Sequence, residues 1–196
     1  MYNAVFKRVL DLVLSLIGSM ILLPVLLVIG IWIKLDSKGP VLFKQKRIGL
    51  KKKTFFLYKF RTMKIDTPKD TPTHLLQDPK SYITNSGRFL RLTSLDELPQ
   101  LYNIIKGEMS IVGPRPALWN QDDLVAERDK YKANDVRPGL TGWAQVNGRD
   151  EIPIPIKASL DGEYVSKLSL WMDIKCIFKT VLCVVMRKNV VEGGDG

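Results

Sequence analysis

The chain has a single histidine, His74, and only two cysteines, Cys176 and Cys183, among its 196 residues. No set of Cys and His stands at metal-ligand spacing, which argues against zinc chemistry, and a lone histidine in the polar stretch 66–82 reads as surface. The cysteines stand seven apart on one predicted helix, about 10 Å along its axis, too far to bridge; they read as reduced apolar residues in a reducing compartment. Acid is nearly missing from the first 64 residues, which hold 13 Lys and Arg against Asp11 and Asp36, a net +11. The remaining residues hold 17 against 18, a net −1, so almost all of the formal +10 lies in the N-terminal third. There is no internal repeat, and the length suits one domain with a real core rather than two.

Charge is also missing from residues 12–33, a run of 22 residues that makes about 33 Å of helix, the thickness of the bilayer hydrocarbon. This reads as a membrane segment; it is too long for a signal peptide, and no small-residue cleavage site follows. The basic excess flanks it, where anionic headgroups attract it at roughly 1 kcal/mol per residue, so a membrane face is favoured and nucleic acid is not. Pro24 predicts a kink near the middle, with Ser15, Gly18 and Ser19 placed to satisfy freed backbone groups. Lysines and arginines firmly ask for the cytoplasmic side after the run and mildly before it; a bent, re-entrant helix satisfies both, and an ordinary straight span with a tolerated proline is the other reading.

After Gly39-Pro40, residues 41–43 and 54–58 are short β-prone runs separated by the basic turn KQKRIGLKKK, a hairpin expected against the membrane surface. Lys59 and Arg61 leave its end. Arg88 and Arg91, three apart, face one side of a helical turn. Asp96 and Glu97 follow, just ahead of an apolar helical run. Ser94 to Glu97 fits the S-x-x-E capping box, but a helix capped there would carry Pro99 as its fifth residue; a start at Asp96 places Pro99 where no N–H is needed. The dyad would then sit at a helix mouth suited to phosphate, with a divalent cation between two sets of negative charge, and hard oxygen ligands select Mg²⁺.

Arg115 is held between Pro114 and Pro116, a rigid setting for a guanidinium that meets phosphate. Residues 119–133 read as a charged helix with a solvated face. The stretch RPGLTGWAQVNGRD carries Gly139, Gly142 and Gly148, which permit close backbone approach to a ligand, and Trp143, either a stacking platform or a core residue. Residues 168–187 form a last helix whose Trp171, Ile174, Phe178, Val181, Leu182 and Val185 recur at three- and four-residue steps; interrupted by charge, it packs on the core or lies in the interface.

The blocks KFRTM, TSLDELPQLYNIIKGEMSIVGPRP and RPGLTGWAQVNGRD, in this order, resemble the bacterial sugar transferase family, the small monotopic phosphoglycosyl transferases. The resemblance runs from the first helix to the last. It implies an α+β fold: a re-entrant membrane helix (residues 1–38), a short β-hairpin and a mainly helical cytoplasmic catalytic domain with interfacial amphipathic helices (39–188), then a mobile tail (189–196). It implies transfer of a sugar 1-phosphate from a UDP-sugar donor to polyprenyl phosphate at a bacterial inner membrane, releasing UMP.

Carried over by position, Asp96 is the nucleophile and an Mg²⁺ ligand, and Glu97 assists in proton transfer or at the metal. Arg115 and Arg149 lead the phosphate and uridine-side contacts, supported by Lys59, Arg61, Arg88 and Arg91. Two positions depart from the family pattern. Asp150 follows Gly148-Arg149 where Asn is common, and Leu23 precedes Pro24 where some members carry serine. A membrane-bound module whose dyad only caps a helix, and a hydrolase passing through an aspartyl-phosphate, are the rival readings. The sugar, the pathway and the oligomeric state, a homodimer included, stay open. Arg149→Ala should weaken nucleotide-sugar use far more than folding; normal turnover by the folded variant would remove Arg149 from the site.

Overall fold

A computed structural model describes residues 4–67, 79–148 and 152–186. His74, Arg149, Asp150 and the tail 189–196 lie outside the described residues.

Helix α1 (Ala4–Asp36) is a single helix that carries Pro24 inside it. It is long and apolar enough to cross a membrane, and most of its surface is uncovered by protein. One stripe is different: Asp11, Ser15, Ile29 and Ile33 are buried on the rest of the fold, with Gly18 closing on Leu101 between them. These positions recur at three- and four-residue steps or their sums, one face of a helix laid lengthwise on its support. Both ends are tied down by polar contacts. Near the start, Arg8 donates to the carbonyls of Ile104 and Ile105, and Asp11 accepts from Ser110 Oγ (2.7 Å) and the Ile111 amide (3.0 Å). At the other end, Asp36 accepts from the amide and hydroxyl of Ser86. Ser15, expected to satisfy freed backbone groups, has a buried hydroxyl with no hydrogen-bond partner.

Strands β1 (Leu42–Ile48) and β2 (Thr54–Phe60) form an antiparallel hairpin, Lys44 opposite Tyr58 and Phe43 opposite Lys59. Here the expected basic turn is corrected: KQKRI belongs to β1, and only residues 49–53 turn the chain. Lysines at alternate, solvent-facing positions hid a strand whose other face, Phe43, Gln45 and Arg47, is half-buried. A single turn, α2 (Pro79–Tyr82), leads to α3 (Asn85–Thr93), a 3₁₀ turn (Leu95–Glu97), α4 (Gln100–Lys106) and β3 (Ser110–Val112). Next come α5 (Asp122–Asp129), β4 (Gly139–Thr141), α6 (Trp143–Gly148), α7 (Ile154–Ser166) and α8 (Leu170–Val185). Strands β3 and β4 pair in parallel, Ser110 with Gly139 and Val112 with Thr141. The result is a mixed helix and sheet fold with two separate two-stranded sheets.

Three apolar clusters carry it. Ile29 and Ile33 of α1 meet Phe60 and Leu90; Phe55 and Leu57 of β2 meet Ile104 and Met109; Val112, Trp143, Tyr164, Met172 and Cys176 close the far end. Trp143 is thereby a core residue, its indole N–H donating to Glu163 (2.7 Å). Burial, with Asp173 second, pushes the Cys176 thiol up to about 11, so it stays protonated. On α8 the predicted apolar stripe faces outward, with Trp171 73% and Phe178 64% exposed, while Met172 and Cys176 pack inward.

The solvated face expected of residues 119–133 is present, with Asp122, Asp123, Asp129, Lys130 and Lys132 exposed, but one charge departs from it. Arg128 of α5 is buried and bonds Asp161 of α7 through Nε (2.8 Å) and Nη2 (2.6 Å). A charge that close to the core survives only with a fixed partner. Asp161→Ala should therefore destabilise the fold by about 3–5 kcal/mol by leaving Arg128 buried and unpaired; denaturant unfolding with no shift in midpoint would refute this.

Candidate active site

Helix α3 ends when Ser94 takes a left-handed conformation (φ 56°). The chain then makes the Leu95–Glu97 3₁₀ turn, and Pro99 occupies the position before α4. Ser94 makes no capping bond through its side chain, so the capping box does not form, and α4 begins at Gln100 rather than Asp96. The dyad thus lies one turn ahead of α4, not in its mouth. Physically, Pro99 opens α4 and the left-handed serine re-aims the chain before it, a break that residue spacing does not reveal.

Asp96 is buried, 8% exposed. Its carboxylate lies 3.9 Å from Lys59 Nζ, while Glu97 Oε1 takes the short contacts: 2.7 Å to Lys59 and 3.4 Å to Arg115 Nη1. One lysine from the end of β2 and one arginine from the Pro-Arg-Pro loop therefore converge on the dyad. Arg91, anchored by its Nε to Thr62 Oγ1 (3.0 Å), adds positive potential at Asp96. Burial pushes the Asp96 carboxyl up; Lys59 opposes this most, Glu97 adds to it, and Arg91 and Arg115 pull it back down.

The loop that carries Arg115 is clamped from two sides. Gly113 N–H donates to Thr141 (2.8 Å) and Gly139 N–H to Pro114 (2.9 Å), joining it to β4. Arg47 Nη1 and the Ile48 amide donate to Pro116 and Ala117, joining it to β1. A Cβ at Gly139 would stand 2.1 Å from Gly113 N, and one at Gly142 would stand 2.0 Å from Gly113 O. These glycines allow two backbones to cross; the ligand approach expected of them is replaced by chain packing. Behind the dyad, the buried Asn103 of α4 accepts from the Tyr58 amide (3.0 Å) and donates to Phe56 (2.7 Å), locking α4 to β2.

Of the basic residues expected at the site, Lys59, Arg91 and Arg115 gather at the dyad. Arg61 does not: buried, it donates to the carbonyls of Ser37, Lys38 and Pro40 and holds the exit from α1. Its Nε, Nη1 and Nη2 each donate to one of these carbonyls. Arg88 is exposed on α3 and makes no ion pair with the dyad. Arg128, Arg47, Gln145 and Lys157, which the sequence did not single out, line a cavity beside Arg115. Their signal was weak: they are scattered from Arg47 to Lys157 in the sequence, and only folding brings them beside Arg115.

No group of three or more His, Cys, Asp or Glu side chains that could hold a metal occurs among the described residues. Asp96 is one hard ligand, with its oxygens outside any short ion pair. That donor set fits Mg²⁺, which keeps most of its shell from phosphate oxygens and water.

Because Asp96 holds its proton more tightly folded than unfolded, stability is lost as pH rises from the ordinary carboxylate value through the raised one, and the ionised form burdens the fold at neutral pH. Asp96→Asn should raise the melting temperature by about 2–4 °C at pH 7, the response to roughly 1 kcal/mol. The gain should vanish below pH 4. A lower melting temperature at pH 7 would overturn this reading.

The bacterial sugar transferase model matches residues 2–187. The chain is 40% identical over 195 residues to the UDP-glucose:undecaprenyl-phosphate glucose-1-phosphate transferase of Xanthomonas campestris pv. campestris, covering 96% of this chain and 40% of that protein. It is 37% identical over 196 residues to the undecaprenyl-phosphate galactose phosphotransferase of Salmonella typhimurium (92% and 40%) and 40% identical over 190 residues to the uncharacterized sugar transferase EpsL of Bacillus subtilis (97% and 90%). The chain thus spans about 40% of the length of the first two relatives and nearly all of the third. With its DELPQ dyad beside a Pro-Arg-Pro arginine and the family model matched almost end to end, this chain belongs to the bacterial sugar transferase family.

Proposed function

We propose that the chain transfers a sugar 1-phosphate from a UDP-sugar to a polyprenyl phosphate of the undecaprenyl type, in two displacements at Asp96. The observation that carries the reading is the buried Asp96 ringed by Lys59, Arg91 and Arg115 while Glu97 holds the short ion pairs. Two cations anchored on Glu97 keep one carboxylate of the pair free of short contacts and facing anionic substrate.

In the first displacement an Asp96 oxygen bonds to the β-phosphorus, and the bond from that phosphorus to the bridging oxygen breaks. The electron pair leaves on that oxygen, which becomes part of UMP. In the second, an oxygen of the polyprenyl phosphate attacks the same phosphorus and Asp96 departs with its electron pair, leaving polyprenyl-diphosphate-sugar. Glu97 takes the proton of the incoming phosphate. Lys59 and Arg115 offset the charge of the diphosphate as it shifts. Mg²⁺ bound through Asp96 would supply further neutralisation of the diphosphate.

The contacts at both ends of α1 support a re-entrant placement, with residues 1–38 as the anchor and 39–188 as a catalytic domain on the cytoplasmic face of the inner membrane. A helix held by Ile104, Ile105 and Ser110 at one end and Ser86 at the other has both ends on one folded unit. Such a helix presents its apolar face to lipid without delivering its ends to opposite sides.

The test follows UMP release from a panel of UDP-sugars by detergent-solubilised protein with Mg²⁺ and polyprenyl phosphate. Lipid-dependent release, lowered at least about 10³-fold in Asp96→Asn, is expected. Release without a lipid acceptor would show a hydrolase instead, and no release from any donor by folded protein would remove the enzyme reading.

A further inference from the structure

Strand β3 is three residues long and pairs with a strand of three, so its own ladder holds its end weakly, yet it runs directly into Gly113, Pro114 and Arg115. Arg115 meets Glu97 at 3.4 Å, a length at which a small displacement of the loop breaks the contact. Side chains help to hold the last carbonyl of β3. Tyr164 OH of α7 stands 3.0 Å from Val112 O, and Ser110 Oγ stands at the same distance from it.

Each of these hydroxyls has one hydrogen and two acceptors in reach. Ser110 Oγ has Asp11 Oδ2 at 2.7 Å, and Tyr164 OH has Asp173 Oδ1 of α8 at 2.7 Å. A carboxylate draws a hydrogen more strongly than a carbonyl does, so Val112 O keeps a donor where the competing carboxylate's charge is already answered. The two carboxylates differ in this respect. Asp11 gives its other oxygen to the neutral amide of Ile111, whereas Asp173 gives its other oxygen to Lys7 Nζ of α1 at 2.5 Å. The contacts lie out of water: Tyr164 is 1% and Asp173 5% exposed, and the Lys7 side chain 12%. In such surroundings local charge, rather than exchange with solvent, decides which acceptor a hydroxyl serves.

Resting on the transfer reaction proposed above, we infer that Tyr164 is a positioning residue for Arg115, and that Lys7 of the apolar helix α1 sets the direction of its hydrogen. With the ammonium on Asp173, the Tyr164 hydrogen serves the Val112 carbonyl and fixes the strand end from which the Pro-Arg-Pro loop departs. With Lys7 withdrawn, Asp173 takes that hydrogen, the buried carbonyl loses it, and Arg115 loses its aim at Glu97 and at the charge that develops on the diphosphate. The contacts run from α1 through α8 and α7 to β3, so the seating of α1 reaches the arginine through Lys7, Asp173 and Tyr164.

The experiment uses full-length, detergent-solubilised protein and reads both UMP release, with UDP-sugar, Mg²⁺ and polyprenyl phosphate, and amide hydrogen exchange across residues 110–118. Tyr164→Phe keeps the ring and removes the hydroxyl. It is expected to lower kcat about tenfold, with KM for the UDP-sugar changed by less than about twofold, because Arg115 acts on charge that appears during the displacement. Exchange across 110–118 should quicken at least about fivefold, while β2 exchanges as in wild type. Lys7→Met should reproduce both changes, Lys7→Arg should restore most of them, and the Lys7→Met, Tyr164→Phe double variant should be no slower than the slower single variant. Thermal melting confirms that each variant is folded; where Lys7→Met does not fold, the Tyr164→Phe result decides. Unchanged exchange across 110–118 in folded Tyr164→Phe, a loss confined to KM, or effects of the two substitutions that multiply would overturn the assignment. If wild type releases no UMP from any donor, the transfer reaction falls, and the exchange measurement still decides whether Tyr164 and Lys7 hold the loop.

Discussion

The Lys59–Glu97–Arg115 bridge is the contact on which the rest of the site depends. It ties three separate pieces of chain together: the end of the hairpin, the 3₁₀ turn before α4 and the Pro-Arg-Pro loop. Exposed ion pairs of this kind are worth little, but here the lysine and glutamate side chains are each only 19% exposed, so the pair is partly withdrawn from solvent screening. Its larger effect is positional. With Glu97 occupying both cations at short range, Asp96 keeps their field at longer range and its own oxygens outside the close pairs. Two adjacent carboxylates thereby acquire different surroundings from one set of neighbours, the condition under which like groups take the different tasks proposed for them.

The supports of that bridge are backbone devices more than side-chain ones. Arg115 is aimed by prolines on both sides, but the loop is held by Gly113 crossing Gly139 and Gly142, a packing that no larger residue permits. Lys59 is aimed because Asn103 fixes α4 to the β2 backbone at Phe56 and Tyr58, directly before it. The dyad is aimed by Ser94 in the left-handed region, a conformation that costs a non-glycine residue roughly 1 kcal/mol and persists where surrounding structure dictates it. Strain and an elevated carboxyl meet within three residues, where the chemistry is proposed to occur.

Much of this was legible in the chain itself. The charge-free run of residues 12–33, the hairpin, the dyad and the family blocks are local patterns, and local patterns survive folding. What failed was everything that needed a distant partner. Arg61 reads the same as Lys59 in KFRTM, yet its neighbours in space are the carbonyls that end α1. Arg128 sits in a charged helix and is buried because Asp161, 33 residues on, folds against it. Glycines in RPGLTG invite a ligand on paper and admit another strand in fact. Asp96 was expected at a helix mouth, whereas it lies a turn ahead of α4, between burial and three cations drawn from β2, α3 and the proline loop.

Helix α1 shows how the membrane and the chemistry can share one framework. A span that projected away from the domain would need only apolar length. This helix also spends a stripe of its surface on the domain, with Asp11 bonded to Ser110 and Ile111 at the start of β3. Strand β3 runs straight into Gly113 and the Arg115 loop, while the other end of α1 is gripped by Arg61 and Ser86 on either side of the Thr62 contact that anchors Arg91. An apolar helix with polar ties at both ends thus bears on both arginines that face Asp96. Displacing α1 would move the walls of the site, so the anchoring and the catalysis proposed for this chain would be parts of one packing problem.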